Sequence, residues 1–138
     1  MSAPLFQQWL DFAKEDLAVA QLTFDEKHFS HACFLSQQAI EKALKAFLIA
    51  KLNQYPRIHN LTDLLTQCIA IDVSFAQFIA ECATVDQYYI PTRYPAGIPS
   101  GLASTPPTDQ HAKTAINAAT RILQFVVNSL TSNSSITT

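Results

Sequence analysis

The sequence predicts an all-α protein, an up-and-down four-helix bundle with one extra short helix. Three observations carry that prediction. Five segments repeat apolar residues at spacings of three and four, no stretch alternates in the manner of a strand, and the chain holds only two glycines in 138 residues, too few for the tight turns of an all-β fold. Hydrophobic residues make up 49% of the chain and charged residues 14%, which excludes a disordered polymer. The length makes one domain the default, expected over residues 1–131 with a frayed polar tail at 132–138.

The first helix is expected from about Pro4 to Phe24, with proline in its opening turn. Leu5, Trp9, Phe12, Ala13, Leu17, Ala20 and Phe24 form its stripe, and Asp16 intrudes on it. The second runs from about Ser30 to Leu52. Its apolar residues, among them Ala32, Cys33, Leu35, Ile40, Leu44 and Phe47, cover more than one stripe, and its polar strip is narrow: Gln37, Gln38, Glu41, Lys42 and Lys45. A helix apolar over so much of its girth is buried on two sides. One flank is expected to face its own subunit and the other a twin, with Cys33, Phe34 or Leu35 at the two-fold contact.

Asn53 to His59 is a break centred on Pro56. Asn60 caps a short third helix through Leu61, Leu64, Leu65, Cys68 and Ile69, with Asp63 in its first turn. Ser74 is the expected cap of the fourth helix, whose stripe is Phe75, Phe78, Ile79, Cys82, Val85 and Tyr89, and Pro91 is expected to end it. From Pro91 to Asp109 the chain holds five of its seven prolines and both glycines, the composition of a long functional or mobile loop. Thr108 or Asp109 caps the fifth helix, with a stripe from Ala112 to Leu130.

Nine Lys/Arg against eleven Asp/Glu give a net charge of −2, which argues against a globally basic nucleic-acid binder. Gly97 and Gly101 lack the spacing of a phosphate-cradling loop. The three widely spaced cysteines read as reduced core thiols, so the protein is expected to be cytoplasmic. No run is long and apolar enough for a membrane span, and no cofactor is indicated. His28 and His31, three apart, are a weak pair for a metal; no HExxH follows, and no metal site is predicted.

Three groups of residues could carry function. Asp16 in an apolar stripe needs a partner: it is either half of an ion pair with Lys42, Lys45 or Arg93, or a site carboxylate. Arg57, His59 and the start of the third helix form a possible anion subsite, because orphan amides at a helix N-terminus favour negative charge; His59 could equally be bonded to backbone. Asp86, Tyr88, Tyr89, Arg93 and Tyr94 combine a guanidinium fork for phosphate with aromatic faces for a base, or else close the core. No nucleophile–base pair is evident from spacing.

The second helix, Phe29-Ser30-His31-Ala32-Cys33-Phe34-Leu35-Ser36-Gln37-Gln38-Ala39-Ile40-Glu41-Lys42-Ala43-Leu44-Lys45-Ala46-Phe47-Leu48, closely resembles the signature helix of HEPN domains (higher eukaryotes and prokaryotes nucleotide-binding). Trp9, Ala13, Glu15-Asp16-Leu17 and Ala20 resemble the family's opening helix. His59-Asn60-Leu61 with Leu64-Leu65 is similar to its third-helix motif, and Thr92-Arg93-Tyr94-Pro95 to its Arg-Tyr-Pro element. The resemblance covers about residues 5 to 130. It implies a homodimer, a minimal nucleotidyltransferase as partner in a two-component or toxin–antitoxin system, and a nucleotide or RNA as ligand. The expected ligand-binding residues are Arg93, Tyr94, His59, Arg57, Asp16 and Tyr89. Some members of the family are metal-independent ribonucleases whose motif sets a histidine four to six residues after an arginine. Here Gly97, Ile98 and Pro99 stand at those offsets from Arg93, and the next histidine, His111, is eighteen residues away. That departure favours a binding partner over a ribonuclease with a rearranged site, Arg93 acting with His59 or His111. A pure interaction scaffold is the third reading.

Overall fold

The computed structural model describes the backbone of residues 3–93 and 106–136, and the side chains of residues 3–88 and 106–131. Five helices account for nearly all of this: α1 Leu5–Asp25, α2 Phe29–Leu52, α3 Leu61–Ile71, α4 Ile79–Arg93 and α5 Asp109–Ile136. No strand occurs among the described residues. α2 is the central stave and packs against α1, α5, α4 and α3, while α1 and α5 also touch each other.

The buried face of α1 is Leu10, Ala13 and Ala20, with Phe6, Trp9, Leu17 and Phe24 half-buried beside it. Leu10-Ala13-Leu17-Ala20-Phe24 keeps the three–four spacing better than the stripe read from the sequence. Leu5 and Phe12 therefore fall off the face, and Phe12 is 55% exposed. α1 ends in a Schellman motif. Lys27 takes a left-handed φ of 66°, its amide donates to the Phe24 carbonyl, and the His28 amide donates to that of Thr23. Ring contact between Phe24 and Phe29 then closes the α1–α2 hairpin.

α2 departs from expectation in what covers it. Ala32, Cys33, Ala39, Ile40, Ala43, Leu44, Ala46, Phe47 and Leu48 are buried within the single chain, and so are Ser36, Gln37, Glu41 and Lys45. Neighbours from the same chain cover most of the helix, while Phe34 and Leu35, two of the residues expected at a two-fold contact, are half-buried. Cys33, at 0% exposure, cannot lie in a contact between subunits. Exposed apolar residues also line α1, among them Leu5, Phe12, Val19 and Leu22.

Asn53 ends α2 in the left-handed region at φ 54°, a conformation asparagine tolerates better than most residues. Three boundaries differ from the reading of the sequence. The residues from Val73 to Phe78 form a 3₁₀ turn capped by Asp72, whose carboxylate accepts from the Ser74 amide; α4 begins only at Ile79. α4 then continues through Pro91 to Arg93, because proline removes one helix donor yet keeps a φ compatible with a final turn. α5 likewise runs through polar residues as far as Ile136, since extending a formed helix costs far less than nucleating one.

The core behind these elements is continuous. Phe47, Phe75, Phe78 and Phe125 stack at 4.5 to 5.3 Å between ring centroids for the pairs Phe47–Phe75, Phe75–Phe125 and Phe78–Phe125, locking the 3₁₀ turn between α2 and α5. This rigid block fixes the surface where α1, α2 and the α2–α3 connection meet.

Candidate site at the α2–α3 connection

Gln37, Glu41 and Lys45 follow one another at i, i+4 and i+8 on α2, so one side of an otherwise apolar helix carries a polar row. Lys45 is 1% exposed. A buried ammonium must find partners for its donors, and the local sequence supplies them. Glu41 Oε2 accepts from Lys45 Nζ at 2.9 Å, and His59 Nδ1 lies 3.2 Å from the same nitrogen. The Tyr55 and Trp9 rings stand 5.3 and 5.7 Å away, an arrangement that stabilises a desolvated cation through the ring quadrupoles. Trp9 and Tyr55 also touch, at 5.3 Å between centroids. Three segments thus converge on one charge.

The connection that brings Tyr55 and His59 here alternates. Pro56 and Ile58 are half-buried, whereas Tyr55, Arg57 and His59 are exposed, and Ile58 packs on the core. The alternation places Arg57 with Tyr55 and His59 on the outward edge of the connection, and Tyr55 and His59 contact Lys45. Among the described residues Arg57 has no ion-pair partner.

The start of α3 is not an open anion subsite, contrary to expectation. Asp86 of α4 already fills it: its carboxylate accepts from the Leu61 amide at 2.9 Å, the Thr62 amide at 3.0 Å and the Thr62 hydroxyl at 2.8 Å. Asn60 Oδ1 takes the Asp63 amide at 2.8 Å. With these donors satisfied, the positive helix end holds a residue of its own chain rather than a ligand. Asp86, grouped from the sequence with the aromatic cluster, is a cap.

Asp16 accepts from Lys42 Nζ at 2.7 Å, the cross-helix ion pair that was one of its two readings. Lys42 also lies 5.7 Å over the Phe12 ring. Tyr88 packs on His111 at 5.1 Å, and burial raises its phenol above the ordinary value. His111 Nδ1 in turn accepts from the Thr108 amide at 3.1 Å, so it serves the start of α5. Arg93 closes α4 and Tyr89 lies one turn before it, but their side chains, and Tyr94 altogether, lie outside the described residues.

The His28 and His31 rings stand 6.2 Å apart on the surface; among the described residues no three His, Cys, Asp or Glu side chains come together as a metal site. Cys33, Cys68 and Cys82 are buried and unpaired, and desolvation pushes each thiol up to about 12. They are inert core groups rather than nucleophiles. No helix among the described residues is long and apolar enough to cross a membrane. A shallow depression of about 310 Å³ between the 3₁₀ turn and α5 is floored by Phe78 and Phe125; there Arg121 pairs with Glu81 and lies over Phe78.

The residues that sequence reasoning missed are Lys45, Glu41, Tyr55 and Trp9. The available signal was the narrowness of the polar strip. An i, i+4 Glu–Lys pair on a helix too apolar to have a solvated face is a buried pair, and a buried pair needs further partners.

A family model described as HEPN domain matches residues 6–130. Among solved structures, the chain is similar to TT1696 from Thermus thermophilus, with a TM-score of 0.78 and 35% identity over 89% of this chain and 96% of that one. It is similar also to ST0689, an archaeal HEPN homologue, with a TM-score of 0.71 and 30% identity over 92% of this chain and 98% of that one. A HEPN domain protein from Thermotoga maritima shares the fold, with a TM-score of 0.70 and 24% identity over 90% and 98% of the two chains. No curated protein matches the chain.

Proposed function

The chain belongs to the HEPN domain family, and from that premise we propose that it binds a nucleotide or related phosphate compound, acting as a homodimer alongside a small nucleotidyltransferase in a two-component, possible toxin–antitoxin, system. The observation that carries the reading is the outward edge of Tyr55, Arg57 and His59, with Tyr55 and His59 against the caged Lys45. Arginine offers a phosphate two parallel donors, histidine offers a third, and tyrosine offers a face for a base. The edge adjoins α4 through the Asp86 cap. Arg93, seven residues further along that helix, and Tyr94, next in the chain, are the further ligand residues this reading names. Asp16, engaged by Lys42, orients α1 beside the edge and is not a ligand group in this reading.

Calorimetric titration with ATP, AMP and other nucleotides, alone and with the product of the adjacent gene, tests the proposal. A saturable isotherm weakened about tenfold by Arg57→Ala is expected, the loss of one charge-assisted contact. No heat and no complex under either condition overturns it. RNA cleavage by the purified protein, abolished by Arg93→Ala, would replace binding with the ribonuclease reading.

A further inference from the structure

The contacts around His59 set two proton arrangements against each other. His59 Nδ1 lies 3.2 Å from Lys45 Nζ and 3.3 Å from Glu41 Oε2. A proton on Nδ1 would donate to Glu41, but would set an N–H beside an ammonium that can only donate. A bare Nδ1 accepts from Lys45 at the shorter of the two distances, Glu41 keeps its own 2.9 Å bond to the same ammonium, and the two acceptors, 3.3 Å apart, share one cation that donates to both. Lys45 is buried and has no water shell to turn to, so its hydrogens must be used where they stand.

We infer that Lys45 is a positioning residue: it fixes His59 as the tautomer with its proton on Nε2 and so presents a hydrogen-bond donor to a phosphate oxygen at the exposed edge. The ring is 71% exposed on its side chain, so the second nitrogen is accessible while the first is held from beneath. The step to phosphate rests on the function proposed above; the tautomer does not. The consequence is specific. Without Lys45, Glu41 is the remaining partner and draws the proton to Nδ1. Nε2 then becomes a bare acceptor, and a lone pair faces a phosphate oxygen where a donor stood. Trp9 and Tyr55 keep Lys45 in place, which explains why two aromatic rings from separate segments meet a lysine here.

The test is long-range proton–nitrogen correlation on ¹⁵N-labelled protein at pH 8, above the ordinary imidazole range. Wild-type His59 is expected to show an unprotonated Nδ1 and a protonated Nε2. Lys45→Met is expected to reverse the two signals, and Glu41→Gln, which leaves the Lys45 contact intact, is expected to keep them. Titration with inorganic phosphate and with AMP should move the His59 Nε2 signal in wild type, with affinity lowered about tenfold in Lys45→Met. A wild-type ring protonated at Nδ1, a tautomer unchanged in a folded Lys45→Met, or equal phosphate affinity in the two proteins overturns the inference. If Lys45→Met does not fold, the wild-type and Glu41→Gln spectra still decide the tautomer. Failure of wild type to bind either probe, with the tautomer as stated, overturns the proposed function and with it the presentation of a donor to phosphate.

Discussion

At the residue scale, the three thiols link burial to solution behaviour. Each is held at about 12 in the folded chain by desolvation, against 9.0 for a free thiol. Between those values the folded state keeps protons that the unfolded state releases, so stability falls as pH rises through that window and is unaffected below it. Each thiol contributes up to about 1.4 kcal/mol per pH unit there. Urea midpoints measured from pH 7 to 11 are expected to hold level and then fall above pH 9. Cys33→Ala, despite a lower starting stability from its small cavity, should fall less steeply; identical slopes would show that Cys33 does not titrate on unfolding. The sequence already marked these cysteines as core thiols, because they are odd in number and widely spaced. It did not reveal the Lys45 cage, because a Glu–Lys pair four apart reads the same on a wet or a dry face. Tyr55 and His59 join it only through the path of an irregular connection that no periodicity describes.

At the scale of single elements, short α3 depends on its ends more than on its length. Eleven residues are too few for an autonomous helix. Its first turn is held by the Asn60–Asp63 box and by Asp86 from α4. Sequence alone identified the Asn60 cap, which is local, and misassigned Asp86, whose partners lie 24 and 25 residues away. Asp86→Ala is expected to cost about 2 kcal/mol, the upper end for a capping residue because three donors lose a charged acceptor. Hydrogen exchange should localise the loss, with the Leu61 and Thr62 amides losing protection ahead of the α2 amides. Uniform loss along the chain, or none, would show that Asp86 is not what holds this turn. The same contrast explains the other boundaries. The Asn60 start was legible from one residue's side chain, while the 3₁₀ turn before α4 follows from Phe75 and Phe78 both reaching Phe125, a tertiary demand.

For the whole molecule, the question is how two copies would meet. The all-α bundle was legible because helical periodicity is strong in every stave. The twin contact expected on α2 was not legible from apolar girth, which states how much of a helix is buried but not by whom. The structure offers an apolar stripe on α1, where Leu5, Phe12 and Val19 recur every seven residues and Leu22 extends the row; Phe12 and Leu22 are 55% and 63% exposed. A seven-residue period keeps a stripe facing one partner helix along its length, and the Asp16–Lys42 pair beside Phe12 gives each copy one charge of either sign to offer its twin. At ~1.5 Å per residue the stripe from Leu5 to Leu22 is roughly 26 Å long, a helix-length seam rather than a broad face, so the dimer it supports should be reversible. Sedimentation at graded concentration is expected to show monomer and dimer in exchange at micromolar protein. Phe12→Glu combined with Leu22→Glu should yield monomer at every concentration, with no change in thermal stability of the isolated chain, since both side chains are largely in water to begin with. Leu35→Ser on α2 should leave the exchange intact. A dimer that survives the α1 substitutions but is lost with the α2 substitution would return the interface to α2; a wild type that stays monomeric would remove homodimerisation from the proposed function.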